Sequence, residues 1–530
     1  MGFKGQNTLA NAQANHLEVP SPAMPESRIN THRWWRYRNL RALNLWMLIP
    51  LLSIFSQGFD GSMMNGLQSV SHWQSYFGTP KGATLGIFNA AYPLGGIVGV
   101  FLITPVADGY GRRAGIAVGA ALACLGAALQ GGSINIAMFV ISRLFIGIGS
   151  VLVAGAGAPF ITEIAHPAHR STATALFLTF YSLGSVTAGW CTFGTFRIDG
   201  TASWRIPSAL QGLPSVIQLI FIWFVPESPR WLVSKGRKEE ALAMLVKYHG
   251  EGDATDPVVL FEYQEITTTI ETEKETSETS MVGTARELLS RPGNRKRLFI
   301  LIWAAICSQM SGNAFVSYYL SPILTSVGLK SDLQQTLINA TSQMFSWVMA
   351  TYFATLPEKL GRRTMFLWSL VAMWAVVISI TAGSAVFAKD NTNKAAGYAV
   401  VALLYLFSPA YNFGFNGNLG LYVPEILPYH LRTRGMAFFY FVQYCFMILS
   451  NFAIPVGLEN IQWRLYIIFV VWIMVEFLGT KGPSLEDIAI IFDGPQMKEL
   501  EEEIDHCHIS NTVTVIVEGC DTRTECRTQM

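Results

Sequence analysis

Charge is scarce in this sequence. Only 14% of the 530 residues are Asp, Glu, Lys or Arg, and 51% are hydrophobic, whereas soluble domains carry about 25% charged residues. A net charge of +1 provides no basic surface of the kind nucleic-acid binding needs, so no nucleic-acid partner is expected. Cysteine is sparse too. Cys124, Cys191, Cys307 and Cys445 fall inside apolar runs, and Cys507, Cys520 and Cys526 in the polar end of the chain; no paired spacing suggests a disulfide framework. The run His506–Cys507–His508 has no second ligand pair nearby, so solvated side chains are favoured over a metal site. No metal or other cofactor is expected. A nucleophile-and-base constellation and a phosphate-binding glycine loop are also missing, which argues against an enzyme. The first 43 residues are polar and then basic, unlike a cleavable signal peptide, so the first apolar helix is expected to stay as an anchor.

What is present is apolar sequence in long runs. A membrane-spanning helix needs about 20 mostly apolar residues, and that template finds about six segments near 44–66, 83–106, 114–133, 135–157, 171–191 and 205–225. After a polar stretch come six more, near 298–323, 334–356, 364–387, 397–423, 436–458 and 463–479. The expected fold class is an all-α membrane protein of about 12 transmembrane helices. Its parts are a 1–43 arm, a 44–225 half, a 226–297 linker, a 298–479 half and a 480–530 tail. Arg33, Arg36, Arg38 and Arg41, with the loops holding Arg112, Arg113, Arg170, Arg362, Arg363, Arg432 and Arg434, form the basic side. That side, both termini and the linker are therefore expected in the cytosol. The linker begins with apolar residues at helical spacing and should form short amphipathic helices. Its stretch "EITTTIETEKETSETS" reads as too polar to bury a core, hence mobile.

The chain also repeats itself. "DGYGRR" (108–113) recurs as "EKLGRR" (358–363), and "EIAHPAHR" (163–170) as "EILPYHLR" (425–432). Two copies of a six-helix unit in parallel topology are the architecture of a major facilitator. Within the first apolar run, "LIPLLSIFSQGFDGSMMNG" carries Asp60. A carboxylate at mid-bilayer depth costs roughly 2.5–3.5 kcal/mol on insertion scales, so it needs a partner or a task.

In order, the motifs "GFDG", "DGYGRR", "SRLFIGIG", "PFITEIAHPAHR", "PESPRWL", "SGNAFVSYYL", "LGRR", "PEILPYHLRTRG" and "TKGPSLEDI" resemble the sugar-porter branch of the major facilitator superfamily. Within it they are similar to the fungal lactose-permease-like group, over residues 44–493. The resemblance implies a secondary active transporter, expected to be monomeric in the lipid bilayer of a plasma membrane, with a sugar-like substrate and a proton as partners. It pairs Asp60 with Arg143. Asp60 would alternate between that ion pair and a protonated, unpaired form, coupling proton uptake to rearrangement; the alternative is a static ion pair that fixes helix packing. The resemblance also implies a cytoplasmic gate of inter-helix salt bridges, drawn from Asp108, Arg112, Arg113, Glu163, Arg170, Glu227 and Arg230. In the second half the matching set is Glu358, Arg362, Arg363, Glu425 and Arg432. Topology signals alone would account for the arginines but not for the glutamates.

Polar side chains at helical spacing mark the expected substrate site. Gln309, Asn313 and Ser317 stand at i, i+4 and i+8 in the seventh helix, followed by Tyr318 and Tyr319. Asn339 and Gln343 pair in the eighth helix, and Asn412 and Asn416 in the tenth. Amides donate and accept hydrogen bonds, which suits hydroxyl-rich ligands; the alternative use is helix-to-helix bonding. Three departures from the resemblance stand out. The seventh helix carries one Gln fewer, Leu178 replaces an amide in the fifth, and Gly420 replaces a tryptophan in the tenth. They favour a disaccharide or a less polar cargo over plain glucose, and leave open a non-sugar metabolite transporter, for example an exporter. A transport-inactive nutrient sensor is a third reading. The last apolar run, Leu465 to Gly479, has only 15 residues and includes Glu476, about five short of a comfortable span. A segment lost from the gene model is one explanation for that shortness.

Overall fold

The computed structural model describes residues 31–276, 292–353, 356, 360–390, 393–415, 419, 426 and 432–479, and among these there is no β-strand. Before the linker lie α1 (Leu48–Gln68), α2 (Gly82–Ile103), α3 (Arg112–Gly131), α4 (Ile136–Ile164) and α5 (Arg170–Thr195). A broken α6 (Ala202–Phe224) completes this set. The linker forms α7 (Pro229–Ser234), α8 (Lys238–Tyr248) and α9 (Pro257–Thr276). Beyond it come α10 (Pro292–Met310), α11 (Asn313–Tyr318), α12 (Leu320–Ser326) and α13 (Asp332–Phe353). The last four are α14 (Arg362–Lys389), α15 (Lys394–Gly414), α16 (Arg432–Asn460) and α17 (Leu465–Gly479).

Among the described residues, ten helical stretches are long and apolar enough to cross a membrane. Two of the twelve expected spans fall outside that set, for different reasons. With 22 residues, α13 is long enough at 1.5 Å per residue, but Gln334, Gln335, Asn339 and Gln343 dilute its apolar character. The 15 residues of α17 reach only about 22 Å, against about 30 Å of hydrocarbon.

The seventh span departs from expectation. It is not one helix but three, because Gly312 adopts a left-handed conformation (φ +95°) and ends the run of α10. A second break falls at Tyr319. Glycine enters that region without the penalty a Cβ brings. Gln309 therefore lies before the break and Asn313 and Ser317 after it, so the single continuous face read from the i, i+4, i+8 spacing does not exist.

The linker reading needs one correction as well. Amphipathic helices form as expected, but "EITTTIETEKET" continues α9 to Thr276. Ile266 and Ile270, one turn apart, are buried against a cluster that includes Leu40, Phe160, Ile164, Leu232, Leu245 and Val259. Two isoleucines at i, i+4 supply the apolar stripe that the polar composition concealed. Linker and membrane helices thus share one core.

Side-chain caps start several helices. The Asn135 side chain accepts from the Met138 N–H at 2.8 Å at α4, Asn393 from Ala396 at 3.2 Å at α15, and Ser228 from Trp231 at 3.2 Å at α7. Such caps satisfy amides that the helix cannot pair itself.

Candidate functional site

Asp60 on α1 and Arg143 on α4 meet in the bundle. Nη1 of Arg143 lies 3.1 Å from Oδ1 of Asp60, and Nη2 lies 3.3 Å from Oδ2. The arginine is 0% and the aspartate 2% exposed. Two parallel bonds between planar groups are the strong geometry for this pair. The guanidinium also lies 5.7 Å from the centroid of the Tyr92 ring, and Tyr92, Tyr181 and Tyr318 all feel the charge of Asp60. Tyr92 and Tyr181 were not legible as site residues, because tyrosine is ordinary in apolar helices and its spacing here gives no pattern.

The amides have divided loyalties. Asn313 and Ser317 remain together, Ser317 Oγ donating to Asn313 Oδ1 at 3.2 Å. Gln309 Nε2 donates to Ser308 Oγ at 3.4 Å, and Gln443 Nε2 from α16 reaches the same hydroxyl at 3.2 Å. Tyr411 donates its phenol to the Ser308 carbonyl at 2.9 Å. Ser308, Tyr411 and Gln443 are thus neighbours of the predicted set that sequence spacing did not single out. Asn339 is buried, and its amide nitrogen and oxygen both lack partners among the described residues; Gln343, one turn on, is half-buried. Asn412 behaves as the alternative reading has it, donating to Ser346 Oγ at 2.9 Å across α13 and α15. Asn416 and Gly420 lie outside the described residues, as does the side chain of Leu178.

Tyr318 and Tyr319 take part in closing one end of the bundle. On the face away from the linker, Gln68 Nε2 donates to the Tyr318 carbonyl at 2.9 Å, and the Leu320 N–H donates to Asn65 Oδ1 at 3.1 Å. Ser321 Oγ donates to the Gln68 carbonyl at 3.1 Å, and the Tyr319 hydroxyl donates to the carbonyl of Asn451. Helices from before and after the linker are tied together here by a latch of main-chain and amide bonds.

The linker face holds charges. Arg112 binds Asp108 and also Glu163, the latter at 3.1 Å. Arg113 donates its side chain to the Trp223 carbonyl and its main-chain N–H to Glu227 at 3.4 Å. Two of the gate assignments come out differently. Arg170 pairs with Glu262 of the linker at 2.9 Å rather than with a membrane helix, because α9 packs beside the α4–α5 loop. Arg230 makes no ion pair among the described residues. Glu358 and Glu425 lie outside the described residues, and so do the side chains of Arg362, Arg363 and Arg432.

Beneath Arg170 lies a buried group that sequence reading overlooked. His249 Nδ1 meets Glu262 Oε2 at 2.6 Å and its Nε2 meets the Ile164 carbonyl at 3.2 Å; the His166 ring lies 5.2 Å from that of His249, tilted by 59°. Burial, with His249, His169 and Arg170 nearby, pushes the His166 pKa from 6.5 down to about 3, against a smaller opposing pull from Glu262. Burial alone would raise the Glu262 pKa, but His249 and Arg170 outweigh it and hold the carboxyl below its usual range. Both signs act together. An undocked linker frees His166 to bind a proton below about pH 6.5, so docking weakens as pH falls from there, by up to roughly 1.4 kcal/mol per unit. Amide exchange of α8 and α9, corrected for intrinsic rates, should therefore quicken between pH 7.5 and 5.5. His166→Gln should flatten that dependence.

A helical bundle with an ion pair sealed inside it, a latch at one end and charged loops at the other defines a multi-pass membrane transporter of the major facilitator fold. Residues 46–492 match the family described as Sugar (and other) transporter, and the chain belongs to that family, one of transporters rather than enzymes. Over 491 residues it is 29% identical to the MFS glucose transporter mfs1 of Aspergillus flavus, covering 84% of this chain and 91% of that one. It is 28% identical to high-affinity glucose transporter 1 of Candida albicans, covering 82% and 83%, and 28% identical to the MFS-type transporter criB of Aspergillus cristatus, covering 85% and 93%. Among solved structures, the xylose transporter XylE from E. coli in a partially occluded inward-open conformation superposes with a TM-score of 0.66 at 18% identity. That match covers 84% of this chain and all of XylE.

Proposed function

We propose that the protein imports a sugar, a hexose or disaccharide, together with a proton across the plasma membrane by alternating access. The observation that carries this reading is the buried Asp60–Arg143 pair. A two-state carboxylate is what couples proton uptake to rearrangement, and a charge pair this deep is costly to keep without a use. The names of the glucose transporters it resembles support a sugar as cargo. In this reading the halves 44–225 and 298–479 rock about a central site. That site is built from Gln309, Asn313, Ser317, Tyr318, Asn339 and Gln343, with Tyr92, Tyr181 and Gln443 added. Asp108, Arg112, Glu163 and the second-half charges set the equilibrium at the cytoplasmic end, where both termini and the linker lie. The closed latch on the far face agrees with a state that is shut toward the outside.

The test uses yeast lacking its own sugar carriers and expressing this chain. External pH is recorded on adding lactose, cellobiose, glucose or galactose. Alkalinisation with one of these sugars, absent in Asp60→Asn, is the expected result. Its absence for every sugar, from protein shown to reach the plasma membrane, favours a non-sugar metabolite, to which the Leu178 and Gly420 departures already point.

A further inference from the structure

Ahead of α1 the arm forms a nine-residue helix, Arg38–Trp46, that runs on into it. Met47 between the two keeps helical dihedrals (φ −62°, ψ −19°), and together they cover the 31 residues Arg38–Gln68. At 1.5 Å per residue, the 21 residues of α1 reach about 32 Å, which already fills the roughly 30 Å of hydrocarbon. The arm helix therefore stands at the level of the headgroups and beyond.

Its two faces differ. Leu40, Leu43 and Met47, 0%, 0% and 6% exposed, pack into the core shared with the linker. On the opposite face Arg38, Arg41, Leu45 and Leu48 stand at i, i+3, i+7 and i+10, and all four are exposed. Outward along this face, Leu48 and Leu45 give way to Arg41 and Arg38. That is the order of a bilayer leaflet, acyl chain and then phosphate. Arg33, Trp35 and Arg36, also exposed, precede the helix. No Asp or Glu occurs between Glu26 and Asp60, and none of the four arginines forms an ion pair among the described residues. Arg112, Arg170 and Arg237 each hold a carboxylate.

The surface is also held in place. The Leu40 N–H donates to Glu251 of the linker at 2.6 Å, so that carboxylate is spent on main chain. His169 Nε2 meets the Thr31 carbonyl at 3.1 Å, and the Trp46 ring stacks on Phe224 at 6.0 Å. We propose that Arg33, Arg36, Arg38 and Arg41 form a docking surface for anionic phospholipid headgroups of the cytosolic leaflet, with Leu45 and Leu48 against the acyl chains. Charge complementarity and continuity with the lipid-facing side of α1 carry the proposal. It takes from the reading above only the cytosolic placement of the arm; the cargo is immaterial to it.

The test titrates purified full-length protein with phosphatidylserine or phosphatidylcholine of the same acyl chains and reads bound lipid by native mass spectrometry. Phosphatidylserine should bind about tenfold or more tightly than phosphatidylcholine. Arg38→Gln/Arg41→Gln should weaken phosphatidylserine about 25-fold, a factor of about five per arginine, and leave phosphatidylcholine unchanged. Arg38→Lys/Arg41→Lys, which keeps the charge, should stay within about threefold of wild type. Lys330→Gln/Lys389→Gln, which removes two exposed charges from the latch face, should also stay within about threefold. If the first variant does not fold, Arg33→Gln/Arg36→Gln decides, with the same loss expected. Equal affinity for the two lipids in wild type, or an unchanged affinity for phosphatidylserine in the folded glutamine variant, overturns the proposal. So does an equal loss in the latch-face control. Displacement of phosphatidylserine by glycerophosphoserine at equal concentration would make this a site for soluble phosphates, and overturns the lipid surface too. None of these outcomes touches the sugar-transport reading, which the uptake assay tests separately.

Discussion

Arg143→Ala should leave little folded protein. The substitution strands the carboxylate of Asp60, 2% exposed, in a low-dielectric interior, and breaking one side of a buried pair typically costs about 3–5 kcal/mol. Replacing both partners by groups of similar shape removes the stranded charge. Asp60→Asn/Arg143→Met should therefore recover most of the melting temperature lost by Arg143→Ala. It should not recover sugar accumulation against a gradient, since the carboxylate that takes up the proton in this reading has been removed. Melting temperature of detergent-purified protein and concentrative uptake in cells read the two effects separately. A double variant that accumulates sugar would reduce the pair to packing glue.

The second large effect lies at two glycine crossings that hold this pair together. A Cβ on Gly58 of α1 would sit 1.8 Å from the carbonyl oxygen of Tyr181 on α5, and one on Gly184 of α5 would sit 2.1 Å from that of Phe55 on α1. The α2–α4 contact is built the same way, with Gly95 facing the Leu144 oxygen at 2.2 Å and Gly147 the Tyr92 oxygen at 2.1 Å. Small residues let membrane helices approach to backbone contact, which is where their association energy comes from. Because the obstacle is main chain, no rotamer relieves it. Gly58→Val and Gly147→Val should each abolish a monodisperse peak in size-exclusion chromatography. Gly194→Ala, also on α5 but with nothing within 4 Å of its would-be Cβ, should elute as wild type. Gly58 stands two residues from Asp60 and Gly147 one turn from Arg143, so the close crossings set where the two charges meet.

Much of this was readable from one dimension. Apolar runs of spanning length, the basic loops and the internal repeat are local or periodic features, and they gave a membrane bundle of about twelve spans whose last helix is short. Asp60 was legible because a charge in an apolar run is conspicuous, and Arg143 because the resemblance named its partner. The amides were harder. Spacing marked Asn313 with Ser317 correctly as neighbours, but it marked Asn412 in the same way, and that side chain binds Ser346 on α13. Helical spacing says which residues share a face and not what lies opposite.

What the sequence by itself determined, then, was membrane class, span order and the presence of a buried charge that demands a partner, because these follow from the energetics of a chain against lipid. The tertiary structure alone decided the break at Gly312, whose left-handed turn a glycine permits without requiring it. It alone joined Gln68 to Tyr318, Tyr319 to Asn451 and Glu262 to both Arg170 and His249. Most of these bonds bridge long stretches of chain, and even the short one links residues on different elements. Their partners are chosen by how closely packed helices bring side chains together, a distance that no local pattern encodes.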